Sequence, residues 1–186
     1  MRVIAGSARR LQLKAPEGLD TRPTQDIIKE TLFNCIQTDV PGASFLDLFA
    51  GSGAIGIEAL SRGASSAVFV ENNKKAVAVI NENLEHTHLA ENARVCTGDA
   101  LVYLHQLDGQ TKFDIIYVDP PYKLGIEKEV IKYIFSSQLL NEDGMVILEA
   151  LKETDLDFIN ELPIDIIKEK DYKNNRHLFM KKKENT

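Results

Sequence analysis

Asp119-Pro120-Pro121-Tyr122 directly follows the apolar run Phe113-Asp114-Ile115-Ile116-Tyr117-Val118 and combines an acid, a stiff corner and an aromatic ring. Two prolines fix their own φ angles and restrict the residue before each. Neither donates a hydrogen bond, so the Pro120 carbonyl is left free to accept. An amine on a purine or pyrimidine ring is a poor nucleophile because its lone pair is delocalised. The Asp119 carboxylate and the Pro120 carbonyl, held rigidly, can accept both N–H bonds and aim that lone pair at a methyl group about 3 Å away. Tyr122 offers a ring for an extruded base, and such stacking is worth roughly 1–3 kcal/mol. That is comparable to the few kcal/mol that unstacking costs. Asp119 would orient the amine and can take up the released proton. A merely structural Pro-rich turn with a buried Tyr is the alternative.

A second group surrounds the glycine turn Asp47-Leu48-Phe49-Ala50-Gly51-Ser52-Gly53-Ala54-Ile55-Gly56. Glycines let backbone approach a ligand with no Cβ in the way, and the start of the next helix offers free N–H groups. Gly51, Gly53 and Gly56 satisfy G-x-G-x-x-G, and Glu71 lies 20 residues beyond Gly51, so a nicotinamide enzyme must be weighed. Asp47 argues against it: a pyrophosphate gains nothing from a negative neighbour, whereas a ligand with an ammonium and a sulfonium does. Glu71, followed by Asn72, ends the run Ala67-Val68-Phe69-Val70, where a carboxylate can accept from two ribose hydroxyls. Asp99, in Gly98-Asp99-Ala100, can accept from an adenine amine or simply cap the helix behind it. The candidate cofactor set is Asp47, Phe49, Gly51, Gly53, Glu71, Asn72, Asp99 and Ala100.

The elements that must position these residues alternate. Strands are expected at Ser44 to Leu48, Ala67 to Val70, Arg94 to Thr97, Phe113 to Val118 and Met145 to Leu148. Between them, helices are expected at Ala54 to Ser61, Lys74 to His86, from about Leu101, and around Ile126, Val130, Ile131 and Ile134. Continuous apolar strands between helices predict a parallel sheet covered on both faces. Ile164-Asp165-Ile166-Ile167 and His177-Leu178-Phe179-Met180 flank a polar turn and predict a closing antiparallel pair. Ahead of the sheet, Val3 to Gly6 and Leu11 to Lys14 read as two short strands. After a loop with Pro16 and Gly18 comes a helix opened by Thr21-Arg22-Pro23-Thr24, with Thr24 as its N-cap.

The 186 residues fit one domain with a small appendage, and the net charge of −6 is unevenly placed. Residues 1–14 carry Arg2, Arg9, Arg10 and Lys14 with no acid, and the rest of the chain sums to −10. This is either a solvated hairpin or a phosphate-binding arm. The division expected is a basic arm at residues 1–20 and a catalytic domain at 21–186. Cys35 and Cys96 match no metal or redox spacing, so reduced cysteines, no metal site and a cytoplasmic location are expected. No apolar run reaches the roughly 18 residues of a membrane span, and no secretory signal opens the chain. His86 and His88 end a helix, His105 and His177 have no visible partner, and none of the four is given chemistry.

The glycine turn with Asp-Leu-Phe-Ala-Gly-Ser-Gly, the acid at Glu71, Gly98-Asp99-Ala100 and Asp119-Pro120-Pro121-Tyr122 resemble the class I amino-methyltransferases. Arg2-Val3-Ile4-Ala5-Gly6, Thr21-Arg22-Pro23-Thr24 and Lys29-Glu30-Thr31-Leu32-Phe33-Asn34 resemble, more narrowly, the bacterial RsmD family. The resemblance implies an α/β, Rossmann-like fold: a seven-stranded, mostly parallel sheet with an antiparallel last strand, plus the small N-terminal β-hairpin. It implies methyl transfer from S-adenosylmethionine to guanine N2 in a hairpin loop of 16S ribosomal RNA, within an assembled small subunit. By the same resemblance Gly51 and Gly53 approach the cofactor, Glu71 holds its ribose, Asp99 reads its adenine and Asp119 to Tyr122 hold the base. Arg2, Arg9, Arg10, Lys14 and Arg22 would touch RNA. Two other readings stand beside this one. One is an amino-methyltransferase acting on adenine N6 or cytosine N4 of DNA, and the other a non-catalytic RNA-binding assembly factor.

Overall fold

A computed structural model of the chain describes residues 1–16, 23–121 and 125–183, with backbone alone at 23–25. Seven strands join one sheet: β1 (Ser44–Leu48), β2 (Ser66–Glu71), β3 (Ala93–Thr97), β4 (Phe113–Val118), β5 (Leu140–Leu151), β6 (Ile164–Asp171) and β7 (Asn175–Lys182). Their order is β3-β2-β1-β4-β5-β7-β6. Pairs from β3 through β5 are parallel, and β7 runs antiparallel to both β5 and β6. The chain builds outward from β1 to β3, then returns to place β4 on the other side of β1. That reversal opens a crevice beyond the carboxyl ends of β1 and β4, where ligands of such sheets bind.

Five helices are described: α1 (Pro23–Cys35), α2 (Ala54–Ser61), α3 (Lys74–Thr87), α4 (Ala100–Leu107) and α5 (Glu127–Ser136). Side chains alternate across each strand, so the central strands feed two apolar layers. Leu46, Leu48, Ile116, Val118, Val146 and Leu148 meet α4 and α5 on one face. Phe45, Ile115 and Ile147 meet α1, α2 and α3 on the other, where Val3, Ala8 and Leu13 are also buried. The N-terminal segment is thus bonded into the main core.

Three local expectations are corrected. The two N-terminal strands reduce to a single antiparallel bridge, Arg2 with Gln12, inside a curled hairpin closed by Val3 N–H to Leu11 O at 3.0 Å and Arg10 N–H to Val3 O at 2.9 Å. The curl follows from Gly6, which sits at φ 83° so close to α2 that a Cβ would come within 1.7 Å of Ser61 O. Helix α1 starts at Pro23, so Thr24 belongs to its first turn and is not its cap. Proline suits that first position because its missing N–H would have no partner there. Finally, β5 spans 12 residues rather than four. Its start, Asn141-Glu142-Asp143-Gly144, is too polar to read as strand, and its end carries Glu149 inward toward β7.

Candidate active site

The turn after β1 is set by backbone. Phe49 (φ 77°), Gly51 (φ 56°) and Gly53 (φ 76°) all lie in the left-handed region. For Phe49 that conformation costs roughly 1–2 kcal/mol. It is held by hydrogen bonds from Phe49 N–H and Ala50 N–H to Val70 O, at 3.1 and 2.9 Å. A Cβ on Gly51 would meet nothing within 4 Å, so this backbone faces open space. Gly56 does something different: a Cβ there would stand 2.3 Å from the Phe69 ring, so it lets α2 lie close on β2.

Two acids support the turn. Glu71 accepts from Gly51 N–H through one oxygen and from Asn73 N–H through the other, both at 2.8 Å. Its carboxylate is therefore oriented before any ligand arrives. Asp47 accepts from Gly56 N–H at 2.9 Å and is 2% exposed. Burial pushes the Asp47 carboxyl up to about 7, with the Gly56 hydrogen bond opposing and the charge of Glu71 adding. A cation bound beside Asp47 would release that proton and find a full negative charge. Across β3, Asp99 caps α4 by accepting from Val102 N–H at 3.1 Å, and Ala100 is buried behind it. Val102 itself is 51% exposed, a large apolar side chain in the first turn of the helix that Asp99 caps. Sequence reasoning passed over it, and its only signal was an apolar residue one turn into a capped helix.

Asp119 stands just past the end of β4. It keeps part of its surface open to a cavity of about 400 Å³ and is walled by protein elsewhere. Burial, then the charges of Glu149 and Asp47, drive its carboxyl well above the usual carboxylate range. Pro120 is buried and Pro121 exposed; Tyr122 lies outside the described residues, as does Arg22. Asp47, Phe49, Gly51 and Asp119 line one cavity, while Glu71, Asn72, Asp99 and Ala100 lie toward its β2–β3 side. Gly53 caps α2 just behind the turn.

The same cavity exposes a group that sequence reasoning missed. Glu149 on β5 pairs in register with His177 on β7. One Glu149 oxygen meets His177 Nε2 at 2.8 Å and accepts from the Tyr117 hydroxyl at 2.6 Å; the other accepts from Asn175 Nδ2. The Tyr172 hydroxyl sits 3.1 Å from His177 Nδ1. Burial alone would raise the Glu149 carboxyl, but the hydrogen bond and charge of His177, with Tyr117 and Asn175, hold it below its ordinary value. His177 is 0% exposed, and its place at the head of the apolar run Leu178-Phe179-Met180 in β7 was the available signal.

The basic arm divides. Arg2 faces Asp26 at 3.7 Å and Lys14 faces Glu82 at 2.7 Å. Arg9 and Arg10 are exposed at the hairpin tip and make no ion pair among the described residues. Ser7 N–H and Ala8 N–H bond to Ser61 at the far end of α2, whereas Met1 and Pro16 border the cavity near its start. An eight-residue helix spans about 12 Å, so tip and cavity are separated by roughly that distance. The hairpin is fastened by Glu58, which accepts from Ile4 N–H, Ala5 N–H, Arg62 Nε and Lys29 Nζ.

The family described as Conserved hypothetical protein 95 matches residues 1–181. Ribosomal RNA small subunit methyltransferase D of Escherichia coli is 38% identical over 156 residues, covering 84% of this chain and 77% of that protein. The chain belongs to the RsmD family. YlbH of Bacillus subtilis is 43% identical over 157 residues, 84% of this chain and 85% of its own. The solved structure of yhhF from Escherichia coli superposes with a TM-score of 0.85 at 32% identity, covering 98% of each chain. The sheet order, the acids at the ends of β1, β2 and β4, and the docked hairpin are thus features of an RsmD-family chain. Among the described residues no helix is long and apolar enough to cross a membrane. Nor do three or more His, Cys, Asp or Glu side chains gather there in a way that could hold a metal ion.

Proposed function

We propose that this chain transfers a methyl group from S-adenosylmethionine to the exocyclic N2 of a guanine in 16S ribosomal RNA, acting on the assembled small subunit. One observation carries the reading: Asp47 and Asp119, at neighbouring strand ends on either side of the sheet reversal, open into a single cavity. A cationic donor suits the first acid and a base amine suits the second. When bound, S-adenosylmethionine supplies an electrophilic methyl group on a sulfonium.

The residues fit that ligand. Gly51 leaves open space for close approach, Glu71 is held ready for ribose hydroxyls, and Asp99, which caps α4 through one oxygen, would accept from the adenine amine with the other. Asp119 and the Pro120 carbonyl accept the two N–H bonds of the target amine, and Tyr122 stacks on its ring. The N2 lone pair then forms the N–C bond while the C–S bond breaks toward sulfur. The surplus proton on nitrogen passes to Asp119 or to solvent. The relatives named for small-subunit ribosomal RNA favour RNA over a DNA target for the same corner.

The test is transfer of labelled methyl groups to small-subunit particles and to naked 16S RNA, followed by nucleoside mass spectrometry. N2-methylguanosine, formed faster on particles, is expected. Methylated adenine or cytosine, or no transfer at all, would overturn the reading. The arm makes a separate prediction. Changing Arg9 and Arg10 together to Glu should weaken RNA binding and leave cofactor affinity unchanged, because the tip is remote from the cavity. Each lost phosphate contact should flatten the log–log salt dependence by about 0.7 for single-stranded contacts. An unaltered slope would mean that the tip does not touch phosphate.

A further inference from the structure

We propose that the acidic groove between α5 and the segment after β5 docks a lysine- or arginine-bearing protein chain of the small-subunit particle, with Glu127 as the buried seat for one cation. This inference rests on the particle reading above and names what a particle offers that naked RNA lacks.

Glu127 opens α5 and is only 6% exposed, yet it makes no hydrogen bond or ion pair among the described residues. It lines a groove of about 450 Å³. A helix start favours an acid, but the exposed Glu129 in the same turn already meets that need. A capping role would show as a bond to a backbone N–H, and Glu127 makes none. Burying a carboxylate without a partner is costly. The surroundings add to that cost, because Asp155, Asp157 and Glu161 line the groove as well, against the single cation Lys128. Lys128 lies over the Phe158 ring, 5.9 Å from its centroid, and pairs with none of these acids.

What fits such a groove is positive charge. Four carboxylates repel phosphate, so RNA is the wrong occupant. Nor do the acids gather as metal ligands would, among the described residues. A lysine or arginine side chain suits both parts of the groove: its charged head pairs with Glu127 while its apolar stem lies along Phe158. Proteins that hold RNA carry such side chains, since they neutralise its phosphates.

The position is apt. Helix α5 follows β4 in the parallel part of the sheet, so its first residue lies at the carboxyl edge, where Asp119 also lies. The acids at 155, 157 and 161 follow β5 at that same edge. The groove belongs to the face covered by α4 and α5, opposite the basic hairpin, which is buried with α1 to α3. The chain can thus meet RNA from one side and protein from the other, as its uneven charge requires.

Equilibrium binding to small-subunit particles and to naked 16S RNA, at one salt concentration, tests this. The wild-type protein should bind particles more tightly. Glu127→Gln should lower particle affinity about 10- to 100-fold, the range for hydrogen bonds to charged groups, and leave affinity for naked RNA and for S-adenosylmethionine unchanged. The exposed pair D157N/E161Q should lower it about 3- to 10-fold, and gives the answer even if E127Q folds poorly. A photo-crosslinking side chain in place of Glu161 should join a subunit protein at a segment bearing Lys or Arg. Unchanged particle affinity in the variants overturns the proposal, as do crosslinks to RNA alone, and the guanine reading survives either result. Equal wild-type affinity for particles and naked RNA overturns it together with the particle reading, while the nucleoside formed still decides guanine separately.

Discussion

Asp119→Ala is expected to bind S-adenosylmethionine with near wild-type affinity and to transfer methyl groups about ten-thousandfold more slowly. The first half follows from position. Asp47, Gly51 and Glu71 build the donor side from β1, β2 and the turn between β1 and α2, and Asp119 makes no hydrogen bond to any of them. The second half follows from what the acid does. Alanine removes the acceptor that holds the amine in line, and misplacing a reacting group by about 1 Å costs on the order of a hundredfold. Losing proton uptake adds a factor of the same order. Asp119→Asn separates the two contributions. Its amide carbonyl still accepts an N–H but cannot take a proton, so N should retain clearly more turnover than A if orientation dominates. Burial and the charges of Glu149 and Asp47 raise the Asp119 carboxyl, so the ionised form that holds the amine is a stronger base for the released proton, a role Asn cannot take. Calorimetry beside a radiolabel transfer assay checks both halves, and turnover within a few fold of wild type in the alanine variant would remove Asp119 from the chemistry.

The second large effect is on stability. Glu58→Ala should destabilise the protein by about 3–5 kcal/mol, the usual penalty for breaking a buried ion pair from one side. Lys29 would be left 3% exposed with its ammonium next to the Arg2 carbonyl alone, and Ile4 and Ala5 would lose their acceptor. Lys29 already feels this tension: desolvation lowers its pKa even with Glu58 3.1 Å away. Against a total stability of roughly 5–15 kcal/mol, the change is enough to release the hairpin or unfold the domain. Urea unfolding gives the magnitude, and cleavage by trypsin at Arg9 and Arg10 reports whether the hairpin leaves first. Pairing the change with Lys29→Met should recover much of the loss, because no charge is then stranded. A shift in E58A worth under about 1 kcal/mol would show that the ion cluster does not hold the arm.

The two predictions probe different kinds of legibility. Asp47, Glu71, Asp99 and Asp119 were visible in the sequence because each lies within or at most three residues beyond a short apolar run, and a parallel sheet places such ends along one edge. The strand and helix bounds were legible for the same reason. Ser44–Leu48, Ala54–Ser61 and Phe113–Val118 are predominantly apolar, each with a single acid within it. Beta-strand β5 was read short because its first residues are polar and sit where the register with β4 shifts. That error hid Glu149, which falls just beyond the four residues that looked like strand.

The sequence by itself therefore determined the strands, the helices between them and the row of acids near the strand ends, since these arise from patterns spanning a few neighbouring residues. Only the tertiary structure decided which polar side chains meet. Glu149 and His177 are 28 residues apart, and Ile4 and Glu58 are 54 apart. Such contacts leave no periodic trace along the chain, because strand pairing and helix docking, not local propensity, bring their partners together. The same separation explains why the arm looked like a detached basic hairpin. Its charges are local and readable, while the buried carboxylate that ties it down lies on a helix beyond the first strand.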